Sequence, residues 1–111
     1  MTEYSFPGMK TMMIIRERVN PTMKEVSDDL GVSSPAATAI TERLFEDGEI
    51  SRKEDPEDRR IVRVFLTPRG KTSLEKSLKI WHRVISERLS VLSKIERENL
   101  AKMLKKLAIS S

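Results

Sequence analysis

A charged turn between two short extended runs restricts the fold more than any other stretch. Asp55-Pro56-Glu57-Asp58-Arg59-Arg60, five charged residues in six, lies between Ile50-Ser51-Arg52-Lys53 and the β-branched run Ile61-Val62-Arg63-Val64-Phe65-Leu66-Thr67. Two extended runs joined by a polar, proline-containing turn read as a β-hairpin. The joint exceeds the two-residue loops of the tightest hairpins, so its tip should project into solvent. Asp58 and Arg60 are two apart, which on an extended chain puts both side chains on one side. A carboxylate there can hold the guanidinium by paired hydrogen bonds and aim it outward. An aimed arginine on a narrow projecting hairpin suits the minor groove of DNA, where the potential is most negative.

The rest of the chain reads as the helical frame for that hairpin. Met9, Met12, Met13, Ile15 and Val19 fall at helical spacing from Gly8 to Val19, and Asn20-Pro21 stops that helix. Met1 to Pro7 has no period and is expected to fray. Thr22-Met23-Lys24-Glu25 is a capping-box sequence opening a short helix with Met23, Val26 and Leu30 inward, closed by Gly31. Ser33 or Ser34 then caps a second helix with Pro35 in its first turn, Ala37, Ile40, Thr41 and Leu44 inward, and Gly48 at its end. Two helices across the short turn Leu30-Gly31-Val32-Ser33 make a helix-turn-helix. The small residues Ser33, Ser34, Pro35 and Ala36 permit close approach to a groove floor. Ala36 and Thr38 can touch a thymine methyl, Thr38 can also bond a base edge, and Arg43 can reach a phosphate.

A helix-turn-helix followed at once by a hairpin is a winged helix. On the returning strand Val62, Val64 and Leu66 share the core face, and Ile61, Arg63 and Phe65 take the other. Thr67-Pro68 opens a long helix to about Leu92, striped by Leu74, Leu78, Trp81, Ile85, Leu89 and Leu92, with Ile80, Val84 and Val91 beside them. Ser93-Lys94-Ile95-Glu96 is a second capping box, before a last helix with Ile95, Leu100, Met103, Leu104 and Leu107 inward. These two helices carry more apolar surface than a winged-helix core needs. The surplus reads as a dimer interface: Leu78, Trp81, Ile85, Leu89, Leu92, Leu100, Leu104 and Leu107.

Composition removes other classes. With 111 residues the chain is one compact domain, divided here into a winged-helix core at 1–67 (wing about 50–67) and dimerisation helices at 68–111. There is no cysteine, so disulfide frameworks, cysteine zinc sites and thiol switches are excluded. His82 is alone and reads as a plain helix-face residue, so neither a metal nor a cofactor is expected. No carboxylate pairs with a histidine or cysteine at a recognisable spacing, and no glycine-rich phosphate loop exists, so no enzyme is expected. No apolar run spans a bilayer and no signal-peptide pattern opens the chain, which points to a cytoplasmic protein without membrane contact. Charge is uneven. Residues 1–50 hold five Lys/Arg against nine Asp/Glu, a balance of −4, and residues 51–111 hold 16 against 8, a balance of +8. A DNA-binding reading must therefore accept an acidic first half.

The order of elements, from about Met9 to Leu107, resembles the MarR family of bacterial and archaeal transcription regulators. Asp55-Pro56-Glu57-Asp58-Arg59-Arg60 with Val64-Phe65-Leu66-Thr67-Pro68-Arg69-Gly70 resembles that family's wing signature. Leu44-Phe45-Glu46-Asp47-Gly48-Glu49-Ile50-Ser51-Arg52 resembles its passage from recognition helix into wing. The resemblance implies an α+β, mainly helical, winged-helix homodimer on a pseudo-palindromic operator, acting in transcription regulation, with repression by operator occupancy as the expected mode. It implies that Arg60, beside Arg59, enters the minor groove, that Asp58 orients it, and that the helix from Ser34 lies in the major groove. A small-molecule effector, phenolic or lipophilic, is open by resemblance only. Family members begin with a further helix that helps to build the dimer interface, and Met1 to Pro7 is too short to supply it. A short member, a truncated chain and a dimer built from the last two helices alone all fit. The rival reading is a winged helix that serves protein–protein contact without specific DNA binding.

Overall fold

The computed structural model describes residues 6–110, with side chains to 108. Its elements in order are α1 (Phe6–Arg18), α2 (Met23–Leu30), α3 (Ser34–Glu46), β1 (Ile50–Glu54), β2 (Val62–Leu66), α4 (Pro68–Leu89) and α5 (Lys94–Ser110). The chain divides into two compact units, one up to Leu78 and one from Lys79. Among the described residues, no helix is long and apolar enough to cross a membrane.

The first unit closes around one core. Met9, Met12 and Ile15 of α1, Val26 and Leu30 of α2, Ala37 and Leu44 of α3, Ile50 of β1, Val64 of β2 and Leu74 of α4 are all buried. Their spacings of three and four on the helices are those that bring side chains to one face. Met13, Met23 and Ile40, expected inward, are only half-buried. On β2, Val64 alone is fully buried, and Val62 and Leu66 are half-buried. A strand in a two-stranded sheet has its ends near solvent, so only its centre is covered on the core face. Two buried hydroxyls are satisfied within their helices: Thr11 Oγ1 donates to Pro7 O at 2.8 Å, and Thr41 Oγ1 to Ala37 O at 3.0 Å.

Local chemistry sets the boundaries. Thr22 Oγ1 accepts from Glu25 N at 3.2 Å and Glu25 Oε1 accepts from Thr22 N at 2.9 Å, completing the capping box of α2. Gly31 ends that helix at φ 68°, a left-handed conformation that costs glycine nothing. Asp47, not Gly48, is the C-terminal cap of α3, and Gly48 follows at φ 71°. Thr67 caps α4, its Oγ1 accepting from Gly70 N at 3.0 Å and donating to Gly48 O at 2.6 Å. Gly70 presses on the chain at Glu49, where a Cβ would meet the Glu49 carbonyl oxygen at 1.9 Å. This close approach seats the start of α4 on the root of the hairpin.

Several boundaries and faces depart from expectation. The first helix begins at Phe6 rather than Gly8, so Phe6 and Pro7 are helical instead of frayed, and the rest of the expected frayed segment lies outside the described residues. Val19, counted with the apolar positions of the first helix, lies outside it and is 73% exposed. The helix stops at Arg18, and Val19 and Asn20 turn through left-handed conformations (φ 56° and 57°) that carry the valine side chain off the buried face. α4 ends at Leu89, where Ser90 Oγ donates to Glu87 O at 2.6 Å and Leu92 N to Leu89 O at 3.0 Å in a separate turn. The capping box before α5 is present, with Glu96 Oε1 accepting from Ser93 N and Ser93 Oγ accepting from Glu96 N.

The second unit is different in kind. Ile85, Val91, Ile95, Met103, Leu104 and Leu107 are 49–85% exposed. Trp81, Leu89, Leu92 and Leu100 are half-buried, as is Leu78 at the end of the first unit. Of the residues expected to face inward from the last helix, Leu100 is half-buried, and Ile95, Met103, Leu104 and Leu107 carry their side chains at the surface of this single chain.

Candidate nucleic-acid interface

The hairpin register pairs Ile50 with Leu66, Ser51 with Phe65, Arg52 with Val64, Lys53 with Arg63 and Glu54 with Val62. Beyond it, Asp55 N donates to Ile61 O at 2.8 Å and Ile61 N to Asp58 O at 3.0 Å. Two aspartates fold the tip locally. Asp55 Oδ1 accepts from Glu57 N at 2.8 Å, and Asp58 Oδ1 from Arg60 N at 3.0 Å. Both are the two-residue side-chain turns that aspartate favours.

The Asp58–Arg60 pair is present, but not for the reason an extended chain suggests. Residues 59 and 60 lie in a turn, and the Asp58 carboxylate caps that turn while binding the guanidinium. Arg60 Nε donates to Oδ1 and Nη2 to Oδ2, each at 3.1 Å. Fork meets fork, the geometry that fixes a guanidinium's direction. The Arg60 hydrogen bond is the main reason the Asp58 carboxyl sits below its usual range. The Arg60 side chain is 90% exposed and that of Asp58 only 35%, so the cation is outermost. Arg59 is exposed beside it.

Along the outer edge of β2 the hairpin is tied to the corner between α1 and α2. Arg63 Nε donates to Asp55 Oδ2 at 2.7 Å and its Nη1 to Asn20 O at 3.2 Å. Val64 N donates to Pro21 O at 2.9 Å, and Thr22 bridges Arg63 as an antiparallel partner. The corner is itself clasped by Arg18, whose Nη2 donates to Asp29 Oδ1 at 2.9 Å and Nη1 to Glu25 Oε2 at 2.8 Å. The Arg63 hydrogen bond lowers the Asp55 pKa, and the Arg18 hydrogen bond lowers that of Asp29. Glu25 is lowered first by the Thr22 backbone amide of the capping box. The left-handed valine, costly for a β-branched residue, is thus held in place from two sides.

On α3, Ser33 is the N-terminal cap, its Oγ accepting from Ala36 N at 3.3 Å. Ser34, Pro35 and Thr38 are exposed and Ala36 is half-buried. Ser34 and Thr38 border a cleft of about 350 Å³ between α2 and α3, with Met23, Lys24 and Ser27 opposite. Arg43 is exposed on another side of α3. There it lines, with Pro7, Gly8 and Ala39, a cleft of about 270 Å³ against the start of α1. The structure therefore groups Ser34 with Thr38 and sets Arg43 apart from them. Sequence reasoning also missed a contact between α3 and the hairpin. Arg52 of β1 lies over the Phe45 ring, 4.1 Å from its centroid, and its Nη2 donates to Glu42 Oε1 at 3.4 Å. The ten-residue separation of Glu42 and Arg52 across a helix end offers no periodic signal that could have revealed it.

Comparison with known proteins agrees with this architecture. The sequence profile of the MarR family matches residues 7–62. The chain is 35% identical over 83 residues to the transcriptional repressor MprA of Escherichia coli K12, covering 75% of this chain and 47% of that protein. It is 27% identical over 96 residues to the HTH-type transcriptional regulator YfiV of Bacillus subtilis, covering 86% and 60%. The chain thus spans about half of one and six-tenths of the other. The crystal structure of wild-type MarR from E. coli in its apo form superposes with a TM-score of 0.84 at 28% identity, over 93% of this chain and 77% of that one.

Proposed function

Since the chain belongs to the MarR family of transcriptional regulators, we propose that it is a sequence-specific DNA-binding regulator that works as a homodimer in the cytoplasm and represses by occupying a pseudo-palindromic operator. α3 enters the major groove with Ser33, Ser34, Pro35, Ala36 and Thr38 forward. Arg60 enters the minor groove with Arg59 beside it, and Arg43 meets the backbone. The observation that carries this reading is the Asp58-held guanidinium of Arg60, almost fully exposed at the hairpin tip. An arginine fixed in direction before binding loses less side-chain freedom on entering a narrow groove. The same group in a flexible loop would have to be ordered by the DNA.

The apolar stripes of α4 and α5, half-buried or exposed in this single chain, support the dimer. Leu78, Trp81, Ile85, Leu89, Leu92, Leu100, Leu104 and Leu107 supply its contact. A two-fold partner would bury them and set two recognition helices at half-site spacing. A small-molecule effector would act by shifting that spacing.

One observation favours the rival reading, a protein-interaction module. The exposed surface of α2 and α3 carries Asp28, Asp29, Glu42 and Glu46, which oppose phosphate. Fluorescence anisotropy against the chain's own upstream DNA and a scrambled duplex, at two salt concentrations, separates the two. Tight, selective binding that weakens steeply with salt, and that Arg60→Ala reduces about ten- to hundredfold without unfolding, is the expected result. Operator affinity unchanged in folded Arg60→Ala would remove the wing from the mechanism. No binding to either duplex would leave the protein-interaction reading.

A further inference from the structure

We infer that Glu42 is a specificity-determining residue, which accepts a hydrogen bond from the exocyclic amino group of a cytosine in the major groove, and that Arg52 positions it. This rests on the DNA reading above and deepens it. Glu42 lies one helical turn beyond Thr38 on α3, on the side that the wing strand β1 approaches. It therefore stands in the angle between recognition helix and wing, where a duplex held by both would pass. A carboxylate there faces phosphate repulsion unless something at the site offsets it.

The surroundings of Glu42 are built to offset that repulsion. The Arg52 guanidinium is held from one side by the Phe45 ring, at 4.1 Å, and meets Glu42 Oε1 from another, at 3.4 Å. Stacking on a ring restrains a guanidinium that would otherwise sample many rotamers. The pair does not hide the carboxylate. The Glu42 side chain is 49% exposed and that of Arg52 is 55% exposed. Among the described residues Glu42 Oε2 accepts no hydrogen bond, so one oxygen is steadied and the other is open.

Chemistry then selects the base. A carboxylate accepts and does not donate. Only two groups on the major-groove edges donate, the N4 amino group of cytosine and the N6 amino group of adenine. Adenine sets its N7 acceptor beside N6, where it would face the second carboxylate oxygen. Cytosine sets a C–H there. One cytosine per half-site, opposite the middle of α3, is the expected target.

The test is selection of duplexes from a randomised pool by the full chain, then anisotropy titrations of the enriched duplex and its single-base variants. Wild type should enrich a cytosine at one position in each half-site, and replacing it should weaken binding about tenfold. Glu42→Ala should bind both duplexes alike at that position, and Glu42→Gln should move the preference to adenine, which glutamine reads at N6 and N7. Arg52→Ala should reduce the cytosine preference of wild type and leave it unaltered in a Glu42→Ala background, the signature of a residue acting through another. If Glu42→Ala and Glu42→Gln instead tighten binding to every duplex by one common factor, Glu42 is an unread charge and the inference fails while the DNA reading stands. Enrichment of no sequence by wild type would overturn both. Glu42 is exposed, so its variants should fold, and unchanged circular dichroism would check that.

Discussion

Leu74 and Leu107 are both leucines on amphipathic helices, yet Leu74 is 1% exposed and Leu107 is 68% exposed. The difference holds for their regions. In the unit up to Leu78, three helices, a hairpin and the start of α4 meet and leave Met12, Ile15, Val26 and Val64 at 0–1% exposure. In the unit from Lys79, the apolar residues recur just as regularly, and most stay at the surface. Periodicity therefore says that a face is apolar, and says nothing of whether the chain covers that face by itself. A face left open on this scale is what an association surface looks like before association.

Substitution sharpens the contrast. The largest effect expected is a change of state: Trp81→Glu and Leu89→Glu should each turn a dimer into a monomer in sedimentation velocity, because a carboxylate would then have to be desolvated in the interface. A dimer intact in both variants would place the contact elsewhere. Next in size, Leu74→Ala should lower unfolding stability by about 3 kcal/mol through a cavity in the closed core. Leu107→Ala, measured by denaturant under conditions where the chain is monomeric, should change it by less than about 0.5 kcal/mol. Equal losses at the two leucines would erase the comparison. The smallest effect is acid sensitivity of the first unit. Asp29, Asp55, Asp58 and Glu25 all titrate lower in the folded chain than in the unfolded one. Their contribution is complete above the ordinary carboxylate range and is lost as pH falls through the depressed folded values. Thermal unfolding midpoints should therefore hold steady from neutrality down to that range and drop below it. Asp55→Asn should flatten part of the drop.

Much of the frame was legible in sequence because its signals are local. Both capping boxes, at Thr22–Glu25 and Ser93–Glu96, lie within four residues and appear as read. The helix-turn-helix with Gly31 at its bend, the hairpin, and the opening of α4 at Thr67-Pro68 follow from the same kind of evidence. Val19 was misread because periodicity counts a residue as helical until something ends the helix, and the left-handed turn ends it one position early. The Asp58–Arg60 pair was reached by an argument about extended chain, whereas the aspartate makes it by folding a turn. Arg18 with Asp29, Arg63 with Asn20 and Arg52 with Glu42 were out of reach. Each joins elements whose relative placement is set by packing, and no spacing along the chain encodes it.

The bond from Val64 N to Pro21 O has a further consequence, for how this chain behaves in a crowded solution. A two-stranded hairpin ordinarily offers two unpaired backbone edges on which a foreign strand can grow. Here the outer edge of β2 is already occupied by the Pro21–Thr22 corner. The edge that remains belongs to β1, where Arg52, Lys53 and Glu54 are exposed. Charged side chains, lysine above all, discourage strand addition. The β-structure thus resists strand-by-strand growth, and the association proposed above is left to the helices.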